Sequence, residues 1–207
     1  MASAVIHLAV AKEIEKYFNI KNKKDYYLGT IAPDIAKQIG KEKTEGHFLY
    51  STKTDVPNIK MFTEKYTNFK TNDFNLGYFI HLYTDKIWFD EFLEKLEYRN
   101  SIKLLDGTII QTTPEVIRHL TYNDYTNLNI DLIDQYQLDL SLFYEDFQKP
   151  ITTITEIPID KLNVLIDQMG IIIENSTKNK SHIFDITLIT EFINNTVTRI
   201  LEELKNY

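Results

Sequence analysis

The sequence predicts an all-α protein, a bundle of about six or seven helices in a single domain over residues 1–207. Apolar residues recur at helical spacing in several segments, as at positions 6, 10, 14 and 18 of the first one. Helix-start residues precede the longer segments, and the connections between them are short, which favours helices packed side by side. A small β-hairpin is the predicted exception.

In the first half, predicted helices alternate with polar turns. In order, they are a helix over Ser3–Phe18, a short helix over 26–28, a turn over 31–34, a loop over 37–54, a helix from Pro57 to Phe69 and a longer helix from Phe74 to about Tyr98. Ser3 and Asp73 are the expected caps of the first and last of these helices. Gly29 is expected to end the short helix, which places Asp34 where a loop meets a helix end.

The second half begins with the hairpin and continues as helices. In order, the predicted elements are a hairpin over Ile102–Gln111, a helix from Pro114 to Tyr136, a short helix over Leu140–Phe147, a linker over 150–158, and helices over Asp160–Glu174 and Asp185–Leu204. Asp106-Gly107 lies between two apolar runs, a pattern typical of a tight hairpin turn. Thr113 before Pro114 is a good helix start.

Composition narrows the possible chemistry. The chain has no cysteine, which excludes disulfides, thiolate zinc sites and cysteine nucleophiles, so a transition metal must be held by histidine and carboxylate. The net charge is -7, and no block of lysine and arginine stands out, so non-specific nucleic-acid binding is not expected. We find no signal-peptide pattern and no apolar run that approaches a transmembrane length. These features predict a soluble, cytoplasmic protein.

The sequence His81-Leu82-Tyr83-Thr84-Asp85 lies within the most regular predicted helix. Residues four apart lie on one helix face about 6 Å apart, so an imidazole and a carboxylate can bind one metal ion. The pattern is short, and an ordinary hydrogen bond between His81 and Asp85 is the alternative. Gly77, one turn earlier, costs about 1 kcal/mol in a helix interior and indicates the close approach of another backbone.

Several segments, taken in order, resemble the zinc-dependent phospholipase C family, which shares its helical fold with P1-type nucleases. They are Val5–His7, Gly29–Asp34, Gly46–Phe48 and Leu76–Trp88. The resemblance covers about the first 90 residues, and the ordered set H, PD, H and HxxxD is far more specific than any one motif. It implies a multi-helix bundle of phospholipase C/P1 nuclease type.

The resemblance also implies the metal ligands. Asp34, His47, His81 and Asp85 would surround one zinc ion, and Asp85 would bridge to a second ion held by His7. Zinc is the metal expected, with iron or manganese as alternatives. In the family the amino-terminal amine and carbonyl also bind the second metal, and removal of Met1 would leave Ala2 in a similar place. Asp34 and Asp85 are the expected catalytic residues.

A third metal is less well supported by the sequence. The family has a histidine about ten residues after that of HxxxD, whereas this chain has Glu91 there. His119 and Asp124 are the alternative candidates, but a spacing of five splays them across a regular helix. We therefore expect a dinuclear site.

The predicted function is hydrolysis of a small or lipid phosphoester by a water that a zinc site activates. Phe48, Tyr78, Tyr83 and Trp88 are candidates for the pocket wall, although the core is the expected place for any one of them. The rival hypothesis is a non-catalytic protein that keeps a metal or a ligand on the same scaffold, because a fold does not fix a function. An HD-type phosphohydrolase is disfavoured, since the contiguous His-Asp pair is absent.

Overall fold

The structure, a computed structural model, describes residues 1–52, 55–98, 100–144 and 148–207. These residues are mostly helical with a small antiparallel sheet, which confirms the predicted all-α class. The α-helices among them are α1 (Ala4–Glu15), α2 (Lys23–Ile31), α3 (Ile35–Gln38), α4 (Ile59–Lys65), α5 (Asp73–Ile87), α6 (Leu93–Leu96), α7 (Pro114–Tyr136), α8 (Leu162–Glu174) and α9 (Ile186–Glu203). The strands are β1 (Glu97–Tyr98), β2 (Ser101–Lys103) and β3 (Ile109–Gln111). Within the described residues, no helix combines the length and the apolar character needed to cross a membrane.

Helix α1 lies in the middle of the bundle. Ser3 caps it as predicted, because its side chain accepts a hydrogen bond from the amide of Ile6 at 3.2 Å. The helix packs against α2, α5, α7 and α9, and every residue from Val5 to Ala11 is buried. A polar side chain on this stretch, such as that of His7, is therefore held away from water.

Helices α2 and α5 cross with their backbones in contact. A Cβ atom at Gly77 would lie 2.1 Å from the carbonyl oxygen of Tyr26, and one at Gly29 would lie 2.1 Å from that of Phe74. The close approach expected at Gly77 is therefore present. The prediction that Gly29 ends its helix is wrong, because Gly29 lies inside α2 and serves the same contact.

Helix α5 departs from its predicted form at both ends. Asn72 is the cap, since its side chain accepts from the amide of Asn75 at 2.9 Å, whereas Asp73 accepts hydrogen bonds from the amides of Lys21 and Asn22. After α5 the chain forms a π-helical turn over Trp88–Phe92 before α6. The helix predicted to about Tyr98 is therefore present as an unbroken helical run from Asp73 to Leu96 with a π-helical turn inside it, and only its last two residues form a strand, β1. The Trp88 ring packs against aromatic rings of α9 and of the segment before it.

The predicted hairpin is present, with one additional strand. Strands β2 and β3 pair antiparallel with Ile102 opposite Ile110, and β1 pairs with the other edge of β2. Gly107 has a φ of +87°, a conformation that glycine adopts without strain. The carboxylate of Asp106 accepts from the amide of Thr108 at 2.9 Å and closes the turn.

Other boundaries differ in extent. The helix expected from Pro57 to Phe69 is only α4, capped by Asn58 and followed by a 3-10 turn over Phe69–Thr71. The helix expected over Leu140–Phe147 is a 3-10 turn over Ser141–Phe143, and residues 145–147 lie outside the described residues. Part of the expected loop over 37–54 is helical, in α3, and residues 53 and 54 also lie outside the described residues. Helix α7 is as predicted, and the helix expected over Asp185–Leu204 is α9, which Asp185 caps.

Candidate metal centre

The structure brings the five predicted ligands into one cluster. His7 lies on α1, Asp34 at the junction between the 3-10 turn Ala32–Asp34 and α3, and His47 in the turn that follows. His81 and Asp85 lie one turn apart on α5. Two overlapping sets of side chains have donor atoms within 4.8 Å of one another: His7, Asp34 and His81, and His47, His81 and Asp85.

The separations between donor atoms suit a tetrahedral metal site. His47 Nε2 lies 3.2 Å from His81 Nε2 and 3.4 Å from Asp34 Oδ1. Asp85 Oδ2 lies 3.5 Å from His81 Nε2 and 3.7 Å from His47 Nε2. In a tetrahedron whose ligands lie about 2.0–2.1 Å from zinc, neighbouring ligand atoms are about 3.3 Å apart. The side chains of His47, His81 and Asp85 fit three corners of one such site, and Asp34 lies beside His47.

Hydrogen bonds to backbone carbonyls set the tautomers of two histidines. Nδ1 of His81 lies 2.8 Å from the carbonyl oxygen of Thr30, and Nδ1 of His47 lies 3.3 Å from that of Lys43. A carbonyl oxygen only accepts, so each Nδ1 carries the hydrogen and each neutral ring directs the Nε2 lone pair into the cluster. Two lone pairs at 3.2 Å repel unless a proton or a cation lies between them. Carbonyl partners of this kind commonly orient metal-binding histidines.

Several nitrogen and oxygen atoms of the cluster that could bind a metal ion are buried, and they have no hydrogen-bond partner among the described residues. They are both ring nitrogens of His7, Oδ1 of Asp34 and Oδ2 of Asp85. Leaving such an atom unpaired costs about 1–3 kcal/mol. A metal ion bound by these atoms would offset that cost.

The Asp85 carboxylate faces both sides of the cluster. Its Oδ2 lies toward His47 and His81, whereas its Oδ1 accepts a hydrogen bond from the amide of Ala2 at 3.0 Å and lies 3.3 Å from His7 Nε2. The His7 ring stacks on that of His81, with centroids 3.8 Å apart. This geometry suits a bridging carboxylate between two ions.

Burial and neighbouring charges shift the pKa values of the cluster. Burial and the charge of His81 lower the pKa of His7 to about 4, so this ring is neutral at physiological pH. Burial alone would raise the pKa of Asp34, but contact with His47 and the charge of His81 outweigh it and lower the pKa to about 2. For Asp85, burial is again opposed, here by His7 and His81, and its pKa lies well below the usual range. Both carboxylates are ready to bind a cation.

Zinc binding should weaken as the pH falls. Burial lowers the pKa of His81, but contact with Asp85 and the charge of Asp34 outweigh this and raise it above 6.5. A metal ion must displace the proton that His81 holds at lower pH. We expect zinc affinity at pH 6 to be at least about fourfold weaker than at pH 8, the factor for one proton with a pKa of 6.5. Calorimetric titration at both values, with proton release measured in two buffers, checks this, and a pH-independent affinity would contradict it.

Contacts of Tyr78 and Phe48 fix the turn that carries His47. The hydroxyl of Tyr78 donates to the carbonyl oxygen of Gly46 at 2.5 Å. Phe48 has a positive φ of 53°, which is unfavourable for a residue with a side chain, and its ring packs against Phe62 and Tyr78. These contacts hold the backbone on both sides of His47.

The four aromatic residues considered as pocket walls belong to the core. The exposed fractions of their side chains are 5% for Phe48, 0% for Tyr78, 7% for Tyr83 and 0% for Trp88. A cavity of about 270 Å³ instead adjoins the cluster at Asp34, and its aromatic lining comes from Tyr122 and Tyr125. The Asp34 side chain is 14% exposed, whereas those of His7, His81 and Asp85 are fully buried. Access to the cluster is therefore through Asp34.

The structure places His119 and Asp124 in different surroundings. His119 is exposed on α7, whereas Asp124 is fully buried. The Asp124 carboxylate accepts hydrogen bonds from the backbone amides of His182, Ile183 and Phe184, the shortest of them 2.6 Å. This carboxylate joins α7 to the segment that precedes α9, a structural role that accounts for its burial.

Replacing Asp124 with alanine should destabilise the protein strongly. Three buried amides would lose a charged acceptor, and removing one partner of a buried charged interaction costs about 3–5 kcal/mol. Urea unfolding followed by circular dichroism measures the change. Asp131 is the matched control on the same helix, because its ion pair with Lys178 is exposed, and Asp131→Ala should change stability by less than about 0.5 kcal/mol. Equal effects of the two substitutions would contradict the anchoring role.

Comparison of the chain with protein families, with curated proteins and with solved structures found no match. The interpretation of the cluster therefore depends on its own geometry and on the ordered motifs of the sequence.

Proposed function

We propose that the protein is a metal-dependent phosphoester hydrolase with zinc bound by His7, Asp34, His47, His81 and Asp85. The observation that carries the proposal is the convergence of two imidazole Nε2 atoms, 3.2 Å apart, with unpartnered carboxylate oxygens of Asp34 and Asp85. Histidine and carboxylate together are the donors that zinc, and also iron or manganese, bind in cysteine-free sites. The resemblance to zinc-dependent phospholipases C agrees with this assignment.

The chain's own groups then have distinct roles. When bound, two zinc ions would supply Lewis acidity that brings the pKa of a water toward neutrality and offsets phosphate charge. Asp34, the one partly exposed carboxylate of the cluster, lies between the buried residues of the cluster and the cavity. There it would orient a water and accept its proton. Asp85 is buried and holds the two halves of the cluster together.

A second candidate function is favoured by a specific observation. His7, His81 and Asp85 are completely buried, and His47 is 1% exposed, which would also suit a metal that only stabilises the fold. In that case the protein would bind zinc without hydrolysing any ester. The fold does not decide between these two functions.

Metal analysis followed by a hydrolysis assay tests the proposal. Purified protein should contain about two zinc ions per chain, or take them up after dialysis, and should hydrolyse p-nitrophenyl phosphate or bis(p-nitrophenyl) phosphate. His47→Ala should abolish hydrolysis and lower the zinc content, whereas the control His182→Ala, at an exposed histidine outside the cluster, should do neither. Stoichiometric zinc without hydrolysis would favour the structural role, and protein that binds no metal would refute both functions.

A further inference from the structure

The cavity beside Asp34 has predominantly apolar walls. Its volume is about 270 Å³, and it lies between the start of α1, α3, α7 and α8. Helix α8 contributes Leu165, Met169 and Ile172, and α1 contributes Ala4 and Val5. Pockets that hold drug-sized ligands usually have volumes of about 300–1,000 Å³, so this one suits a single ring-sized group.

A cation lies at the same cavity, one helical turn from Asp34. Lys37, on α3, donates from Nζ to the hydroxyl of Tyr122 at 2.6 Å, and its ammonium lies 4.6 Å from the centre of the Tyr122 ring. Both side chains line the cavity, and Tyr122 is 45% exposed. A negatively charged group placed between the cluster and the cavity would therefore meet a positive charge.

The cavity also holds one unpartnered acceptor. Asn129 is 1% exposed and donates from Nδ2 to Ser176 Oγ at 3.0 Å, but its Oδ1 has no hydrogen-bond partner among the described residues. Asn129 lines the cavity. Buried polar atoms are nearly always paired, so a ligand group with an N–H or O–H would satisfy this oxygen.

From these observations we propose that the cavity selects the ester group of the substrate: a compact, ring-sized apolar group carrying one hydrogen-bond donor. The inference rests on the proposed phosphoester hydrolysis. With the phosphoryl group at Asp34, the apolar group lies against α8 and its donor reaches Asn129, while Lys37 offsets phosphoryl charge.

Binding of two phosphonates, which are not hydrolysed, tests whether the cavity binds the apolar group of the proposed substrate. Phenylphosphonate and methylphosphonate carry the same anion, but only the first carries a ring. Calorimetric titration of the zinc-loaded protein should give about tenfold or tighter binding of phenylphosphonate, the expected gain for burying a ring of this size. Equal binding of the two would overturn the inference.

Variants locate the contacts. Ile172→Gln should reduce the preference for the phenyl group, whereas the control Ile151→Gln, at an isoleucine that is 79% exposed and outside the cavity lining, should not. Lys37→Met should weaken both phosphonates about equally, and Lys41→Met, at an exposed lysine, should weaken neither. If Ile172→Gln kept the full preference for phenylphosphonate, the proposed contact of Ile172 with the ring would be wrong. If Lys37→Met bound both phosphonates as tightly as the parent, the proposed contact of Lys37 with the anion would be wrong.

The acceptor is tested with the three isomeric hydroxyphenylphosphonates. At least one isomer should bind about threefold or more tighter than phenylphosphonate, and Asn129→Leu should remove this gain. No gain for any isomer would overturn the role of Asn129. Failure of the hydrolase proposal is distinguishable, because a protein that prefers phenylphosphonate but hydrolyses no ester keeps the cavity assignment and loses only the proposed reaction.

Discussion

Asp85→Ala should abolish hydrolysis and remove zinc from both halves of the cluster. Asp85 is the side chain that faces His7 with one oxygen and His47 with the other. Loss of a residue that merely supports a ligand already costs about 10–100-fold in metal affinity, so loss of the shared carboxylate should cost at least about 100-fold. Metal content after dialysis and the rate with p-nitrophenyl phosphate measure the effect.

Three further variants make this prediction specific. Asp85→Asn keeps the shape and the acceptor for the Ala2 amide but removes the charge, so it should fold and still lose metal. His7→Ala should lose the ion on its own side and keep the one held by His47. His81→Ala should mainly weaken binding of the ion held by His47. Retention of two zinc ions by Asp85→Ala would contradict the bridging role.

The candidate site could be predicted more fully than the fold boundaries. Its ligands carry chemically distinctive side chains, and the spacing of His81 and Asp85 on one helix fixes their relative direction. Ordered motifs then indicated which distant residues join them. The structure adds the parts that have no sequence pattern, such as the carbonyl of Thr30 that orients His81.

The errors have a common physical cause. Gly29 was expected to end a helix because glycine does so locally, but here its missing side chain makes room for another backbone. Asp73 was expected to cap α5, and instead its carboxylate accepts hydrogen bonds from the chain that enters α2. In both cases a contact with a distant segment overrides the local preference, and such contacts cannot be read from one stretch of sequence.

The cavity was missed for a related reason. Its walls come from the start of α1 and from α3, α7 and α8, segments spread over residues 1–175 of the chain. Lys37 and Asn129 are polar residues of two different helices, and only packing places both of them on the wall of the cavity that adjoins Asp34. The sequence could predict which side chains form the candidate metal cluster, but only the assembled fold shows what lies next to them.

Gly77→Ala is expected to destabilise the protein strongly. The new Cβ would meet backbone atoms of α2, 2.1 Å from the Tyr26 oxygen and 2.9 Å from the Thr30 nitrogen, and backbone cannot rotate away. Overpacking of this kind costs about 3 kcal/mol or more, which for a protein of this size lowers the melting temperature by about 6–12 °C. Zinc affinity should fall too, because α2 also carries the Thr30 carbonyl that orients His81.

Gly170→Ala is the matched control, since it also adds a methyl group inside a helix. The nearest atom to its Cβ would be the Tyr144 hydroxyl at 2.4 Å, but that side chain is 60% exposed and can turn aside. Alanine favours a helix over glycine by about 1 kcal/mol, so this variant should melt at the same temperature or up to about 4 °C higher. Thermal unfolding of both variants, with and without zinc, compares them. A lower melting temperature for Gly77→Ala, together with an unchanged or higher one for Gly170→Ala, would show that the backbone contact between α2 and α5, and not helix propensity, requires Gly77. A Gly77→Ala protein as stable as the parent would refute this requirement.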